Sequence, residues 1–161
     1  MPDMLVNLLR LPPVDEGLEE LRAAGLVVRR AQPWELTPVR EFVTENFSQA
    51  WADEISPGLM RQPVTVFVAL RDGRLVGFAA YECTRKNFFG PTGVIEEERG
   101  RGVGRALLLS ALRGLRELGY AYAVIGGVGP AGFYERAVGA QLIPDSSPGI
   151  YRDPLRPDVK D

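Results

Sequence analysis

Three glycines alternate with arginines and a valine in Arg99-Gly100-Arg101-Gly102-Val103-Gly104-Arg105, and an apolar-periodic run over residues 106–118 follows at once. Before the loop lie the acids Glu96-Glu97-Glu98, and before them an apolar stretch ending in Gly93-Val94-Ile95. The order reads as strand, turn, glycine-rich loop, helix. Glycine has no Cβ to bar close approach or positive φ, so such a loop lets backbone N–H groups converge on an anion. The helix start adds unpaired N–H donors and the positive end of its dipole, and the arginines add full charge. Residues 99–105 therefore describe a phosphate or pyrophosphate site. A nucleotide P-loop is excluded, because the loop holds no Gly-Lys pair. The dinucleotide fingerprint G-x-G-x-x-G fails as well, since its third glycine falls on Arg105 or Leu107.

The rest of the composition narrows the chemistry. The 161 residues are 45% hydrophobic and 25% charged, enough for one globular domain with a sizeable core. A net charge of −2 offers no basic surface for nucleic acid. No apolar run reaches membrane-spanning length. The N-terminus lacks the basic region of a signal peptide, and the single cysteine, Cys83, allows no internal disulfide, so the expected compartment is the cytoplasm. There is no histidine. That removes the commonest general base and most transition-metal sites, and no metal is expected.

Along the chain, residues 4–9 read as a short strand and residues 15–24 as a helix, acidic early and stopped at Gly25. A β-rich run covers residues 26–30, and Pro33 opens a helix with Leu36, Val39, Phe42, Val43 and Phe47 on one stripe. Residues 49–61 form an amphipathic segment that Pro57-Gly58 should break, with Trp51 either in the core or in a site wall. Strands at 64–70 and 75–83 are joined by Asp72-Gly73, a hairpin signal. Cys83 is expected to be a small buried hydrophobe. Residues 87–95 should be a strand, although Gly90-Pro91 interrupts it. Gly114 weakens the helix after the loop by roughly 1 kcal/mol, and Gly119 ends it. A buried strand over 120–125, a helix over 131–140 and a strand pair at 141–143 and 149–151 complete the reading, with a polar tail at 156–161.

The pattern Arg99-x-x-Gly102-x-Gly104 resembles the acetyl-CoA loop of the GNAT superfamily of N-acetyltransferases. Phe133-Tyr134-Glu135-Arg136 followed by Gly139-Ala140 resembles the family's ending, in which Phe-Tyr and a helix precede Gly-Phe. Ala140 departs from that pattern, and Gly126 to Gly129 contain no Asn, where many members carry one. The resemblance covers residues 26–155, leaving 1–25 as an N-terminal extension of strand plus helix packed on the domain. It implies an α/β (α+β) fold, a mixed central sheet of about six to seven strands flanked by helices. The family's fourth and fifth strands splay at a bulge, which would tolerate Pro91. It implies acetyl-CoA as co-substrate, held by Arg99, Gly100, Arg101, Gly102, Val103, Gly104 and Arg105. The backbones of Gly93 and Val94 would pair with the pantetheine arm. The implied activity is transfer of acetyl to a primary amine of a small molecule or peptide, by direct attack. Tyr134 is then the acid for the departing thiolate, and Glu82 or Glu96 is a candidate base. A non-catalytic acyl-CoA-binding sensor with the same fold is the alternative. An extra edge strand from residues 1–25 would leave a sheet edge free for a homodimer.

Overall fold

The computed structural model describes residues 1–155; the tail at 156–161 lies outside the described residues. In chain order the elements are β1 (Met4–Asn7), α1 (Asp15–Ala23), β2 (Leu26–Arg30), α2 (Leu36–Asn46), α3 (Gln49–Leu59), β3 (Val66–Arg71), β4 (Arg74–Tyr81), β5 (Phe88–Val94), α4 (Val103–Glu117), β6 (Tyr122–Ile125), α5 (Ala131–Val138) and β7 (Gln141–Leu142). Short 3-10 turns lie at Leu8–Arg10, Pro33–Glu35, Glu96–Glu98 and Gly149–Tyr151.

Local chemistry sets most of these boundaries. Asp15 and Glu16 stand at the positive end of α1, and Gly25 closes it at φ +80°. Gln32 and Glu35 form a capping box ahead of α2. The Ser48 hydroxyl accepts from the Trp51 amide, 3.1 Å, to start α3. Asp72 (φ +48°) and Gly73 (φ +80°) make the β3–β4 turn with two positive φ values, the type that matches strand twist. Pro57 does not break α3, which continues to Leu59. The proline falls in the last turn, where buried Ile55 and Leu59 hold the helix to the sheet and tertiary packing outweighs local propensity.

The seven strands form one sheet in the order β2-β3-β4-β5-β6-β1-β7. Every pairing is antiparallel except β5 with β6. β1 is therefore not an added edge strand, as residues 1–25 suggested. It lies between β6 and β7, with Met4 opposite Ile125 on one side and Leu142 on the other. Met4 and Val6, which share one face of β1, are fully buried in the same cluster as the α4 leucines and Ala137 of α5. The expected final strand pair is also corrected. Only Gln141–Leu142 joins the sheet, and Gly149–Tyr151 is a 3-10 turn.

Helices cover both faces. Val39, Val43, Ile55 and Leu59 of α2 and α3 pack on Val66, Val68 and Phe78. Leu107, Leu108, Leu112 and Leu115 of α4 pack on the opposite face, with Tyr134 and Ala137 of α5 in the same cluster. Each such buried leucine contributes about 1.5–3 kcal/mol relative to exposure. Gly114 sits in α4 because a Cβ there would lie 2.6 Å from the Tyr81 ring. The small residue lets α4 lie close on β4, and that closeness sets where the helix N-terminus points.

Candidate active site

β5 pairs with β4 along its length but with β6 only at Phe88–Val124 and Phe89–Ile125. Gly90 and Pro91 fall between the Ala79–Thr92 and Tyr81–Phe89 pairs, opposite Ala80 alone. This is the bulge the sequence called for, and it absorbs the proline's missing N–H. Beyond it β5 runs on to Val94 while β6 turns away, so the sheet opens. Ile95 N–H donates to Val76 O, 3.0 Å, and fixes which groups face the opening. Counting back in register, Gly93 directs its N–H and C=O toward β4, whereas Val94 and Thr92 direct theirs into the gap. Val94 O accepts from Arg99 Nε, 3.0 Å. Gly93 is a glycine because the Phe47 ring would lie 2.4 Å from a Cβ at that position.

The glycine-rich loop lies where β5 ends and α4 begins. Gly100 and Gly102 have φ +73° and +86°, and nothing in the protein stands within 4 Å of a Cβ at either. Gly102 caps α4 without a side-chain acceptor, and the first helix bond runs from Ala106 N–H to Gly102 O, 3.0 Å. The amides of Val103, Gly104 and Arg105 thus have no intrahelical partner. Arg99, Arg101 and Arg105 are exposed around them. In the acid run before the loop, Glu96 and Glu97 are exposed and Glu98 is committed to Arg71. Glu98 is buried and takes Arg71 in a two-point ion pair, with Nη2–Oε2 at 2.8 Å. The Arg71 hydrogen bonds hold its carboxyl below the usual carboxylate range. Open space, free amides, positive φ and arginines fit the pyrophosphate of a CoA-type ligand.

A cavity of about 580 Å³ fills the opening between β5 and β6. Its floor is Phe88, Phe89 and Ile125, one wall is Gly126 to Pro130, and Tyr134 enters from α5. Tyr134 is buried, packed edge-on against Phe133 (5.0 Å between ring centres) and Phe89 (6.2 Å). Burial pushes its phenol up to about 12, so it is a proton-bearing donor across the neutral range. Trp51, Glu54, Thr84 and Tyr151 line the same cavity. Trp51 also stacks on Phe47 at 5.8 Å between ring centres, so it packs against the core as well as lining the cavity.

Glu82 and Glu96 are placed elsewhere. Neither lines the cavity. Glu82 is buried at the end of β4, where it accepts from the Tyr120 hydroxyl, the Asn87 amide (3.2 Å) and Lys86 Nζ (3.2 Å). Burial alone would raise its carboxyl, but those hydrogen bonds outweigh burial and hold it below the usual value. Its work is to close the β4–β5 turn, where Glu82 and Asn87 both take positive φ. Glu96 is exposed in the turn before the loop. Cys83 is half-buried rather than buried, with its thiol pushed up by burial, and does not line the cavity.

Two contributions to the cavity wall lie outside the motifs. Asp3 accepts from the Gly127 amide at 2.8 Å, and Pro2 O accepts from the Val128 amide at 2.8 Å, so the N-terminal segment holds one cavity wall. Gly127 takes φ +58° with the Tyr151 ring 3.3 Å from a Cβ position, and Gly126 faces Phe88. The cluster of glycines after β6 was a visible signal for close approach; Asp3 carried none. Among the described residues no helix is long and apolar enough to cross a membrane.

A family model for the acetyltransferase (GNAT) domain matches residues 62–137. The fold is shared with a GCN5-related glucosamine N-acetyltransferase region of a fungal multi-domain GH3 beta-N-acetylglucosaminidase. That likeness has TM-score 0.71 and 19% identity, over 88% of this chain and 19% of that one. A GCN5-related N-acetyltransferase from Sphaerobacter thermophilus matches with TM-score 0.64 and 22% identity, over 88% and 48% of the two chains. A GNAT family acetyltransferase from Brucella melitensis, solved in complex with acetyl-CoA, matches with TM-score 0.54 and 24% identity, over 73% and 86%. This chain thus spans about a fifth of the first of these proteins and about half of the second. A search of curated proteins finds no match.

Proposed function

We propose that the chain, whose residues 62–137 match the acetyltransferase (GNAT) domain, is an acetyltransferase of that family and transfers the acetyl group of acetyl-CoA to a primary amine of a small molecule or peptide by direct attack. One observation carries the proposal. β5 and β6 part between the glycine-rich loop, with its free amides, and the Tyr134-lined cavity. A ligand with a pyrophosphate and a narrow arm would span the two.

In this reading the amides of residues 100–105 and the arginines bind the pyrophosphate. The Val94 N–H, which faces the gap, is the donor available to a carbonyl placed there. The apolar floor of Phe88, Phe89 and Ile125 excludes water, which strengthens each remaining polar contact. The thioester supplies the acetyl group and a thiolate that must be stabilised as it leaves. Tyr134 is the group for that task. Its pKa of about 12 lies above that of a thiol, ordinarily about 8.5, so it donates a hydrogen bond to the developing thiolate more readily than it surrenders its proton. With Glu82 engaged and Glu96 in solvent, the acceptor reacts as the free amine, its nitrogen forms the amide bond as the C–S bond breaks, and the proton that nitrogen then loses goes to solvent.

The test has two arms. Acetyl-CoA binding is measured by calorimetry, and CoA thiol release is followed across an amine panel with product masses recorded. Binding, with release accelerated by at least one amine and a product heavier by one acetyl, supports the reading. A folded protein that binds no acetyl-CoA at about 1 mM, the upper end of ordinary KM values, refutes it. Binding with no amine-dependent release refutes transfer and leaves an acyl-CoA-binding module.

A further inference from the structure

We propose that Glu54 is the ammonium anchor of the acceptor and that the acceptor is a small monoamine with an apolar, preferably aromatic, body. The inference rests on the transferase reading above and narrows its substrate class. Glu54 is the one carboxylate among the described residues lining the cavity. It projects from α3, one turn after Trp51, and one oxygen is held by the Thr84 hydroxyl from the β4–β5 loop. Its other oxygen, Oε2, has no hydrogen-bond or ion-pair partner among the described residues. The nearest walls are apolar or aromatic: Trp51, Phe88 and Tyr151. Its charge reaches Tyr151, whose phenol is raised chiefly by burial and further by Glu54 and Asp3, against a lowering by Arg85. The Met1 ammonium, also at the cavity, is turned to Ser147 Oγ at 3.4 Å.

The inventory of polar groups decides the ligand class. A carboxylate with a free oxygen in an apolar cavity takes a cation, and an ammonium beside aromatic faces gains a further cation–π attraction. One carboxylate neutralises one charge. A second ammonium on the same ligand would have to be desolvated against aromatic rings with no counter-charge. A sugar amine would bring several hydroxyls. The Thr84 and Thr92 hydroxyl protons are already given, to Glu54 and to Phe78 O, so among the lining side chains the Tyr134 and Tyr151 hydroxyls and the Trp51 indole remain, too few to pair every hydroxyl of such a ligand. The binding pose holds the ammonium at Glu54, and it is the neutral fraction of the same amine that reacts.

The experiment is direct binding in the presence of saturating CoA. Four probes are titrated by calorimetry: phenethylamine, its neutral analogue phenylethanol, 1,6-diaminohexane and glucosamine. Wild-type protein should bind phenethylamine at least about tenfold more tightly than the other three, as one charge-assisted hydrogen bond implies. Glu54→Gln should abolish the preference over phenylethanol while leaving phenylethanol and CoA affinity unchanged. Thr84→Val removes the brace and keeps the charge, so it should retain the preference. The proposal is overturned if Glu54→Gln keeps the amine preference, if Thr84→Val loses it equally, or if glucosamine or the diamine binds more tightly than phenethylamine. Binding without acetylation would support the anchor and sink the transferase reading, whereas acetylation indifferent to Glu54→Gln would do the reverse.

Discussion

Replacing Tyr134 by Phe deletes one oxygen from a side chain that is 6% exposed and leaves its ring contacts with Phe89 and Phe133 intact. The hydroxyl makes no hydrogen bond to a described residue, so no protein partner is orphaned, and stability should change by no more than about 0.5 kcal/mol. The consequence for rate is larger. A donor that acts as thiolate charge develops contributes about 10²–10³-fold, equivalent to roughly 2.7–4 kcal/mol of barrier. Single-turnover transfer should slow by that factor, with acetyl-CoA affinity nearly unchanged. The phenol also carries a pH signature. Burial raises its folded pKa from the ordinary tyrosine value of about 10 to about 12, so the protonated form is favoured by folding. The stability this supplies is fully present below pH 10 and is lost as pH rises through 12, about 3 kcal/mol in all. Tyr134→Phe should flatten that alkaline loss, measured by urea unfolding from pH 9 upward. Full activity in the variant would refute the catalytic assignment. A fall in melting temperature together with acetyl-CoA affinity would show that Tyr134 is only a core residue.

Gly102→Glu puts a Cβ and a negative charge into the open space at φ +86°, and acetyl-CoA affinity measured by calorimetry should fall below detection in a protein that still folds. Gly114→Ala should destabilise the fold. Helix propensity returns up to about 1 kcal/mol, but the new methyl meets a fully buried Tyr81 whose hydroxyl is held by Arg30, and overpacking costs about 1–3 kcal/mol. A higher denaturation midpoint would contradict that accounting. Glu98→Gln should lower the melting temperature and weaken acetyl-CoA binding by loosening the turn into the loop. In the parent protein the depressed Glu98 carboxyl contributes stability above the ordinary carboxylate pKa and loses it as pH falls, so acid unfolding should begin at higher pH when Arg71 is replaced by Ala.

Local features were legible in the residues. The loop and the start of α4, the Asp72-Gly73 turn, the faces of α2 and α4, and the bulge at Gly90-Pro91 each depend on a few neighbouring side chains and the φ values they permit. Sequence alone therefore determined where free amides and positive charge gather and where a strand must yield. It did not determine which strands adjoin. β1 reads as a short apolar run wherever it is placed, and only its burial between β6 and β7 made it interior to the sheet. The cavity is likewise a product of distant pairings, such as Asp3 with Gly127 across 124 positions. Trp51 and Glu54 on α3, Thr84 in the β4–β5 loop and Tyr151 in the last 3-10 turn share no spacing that a periodicity could reveal. Glu82 was ambiguous for the same reason: a carboxylate at a strand end looks equally like a base or a brace. The Tyr120 hydroxyl, brought to it from 38 residues away, decided that it braces the turn. Side-chain type and short-range spacing set the chemistry on offer. Which groups meet, and which are already satisfied, depends on burial that only the folded sheet supplies.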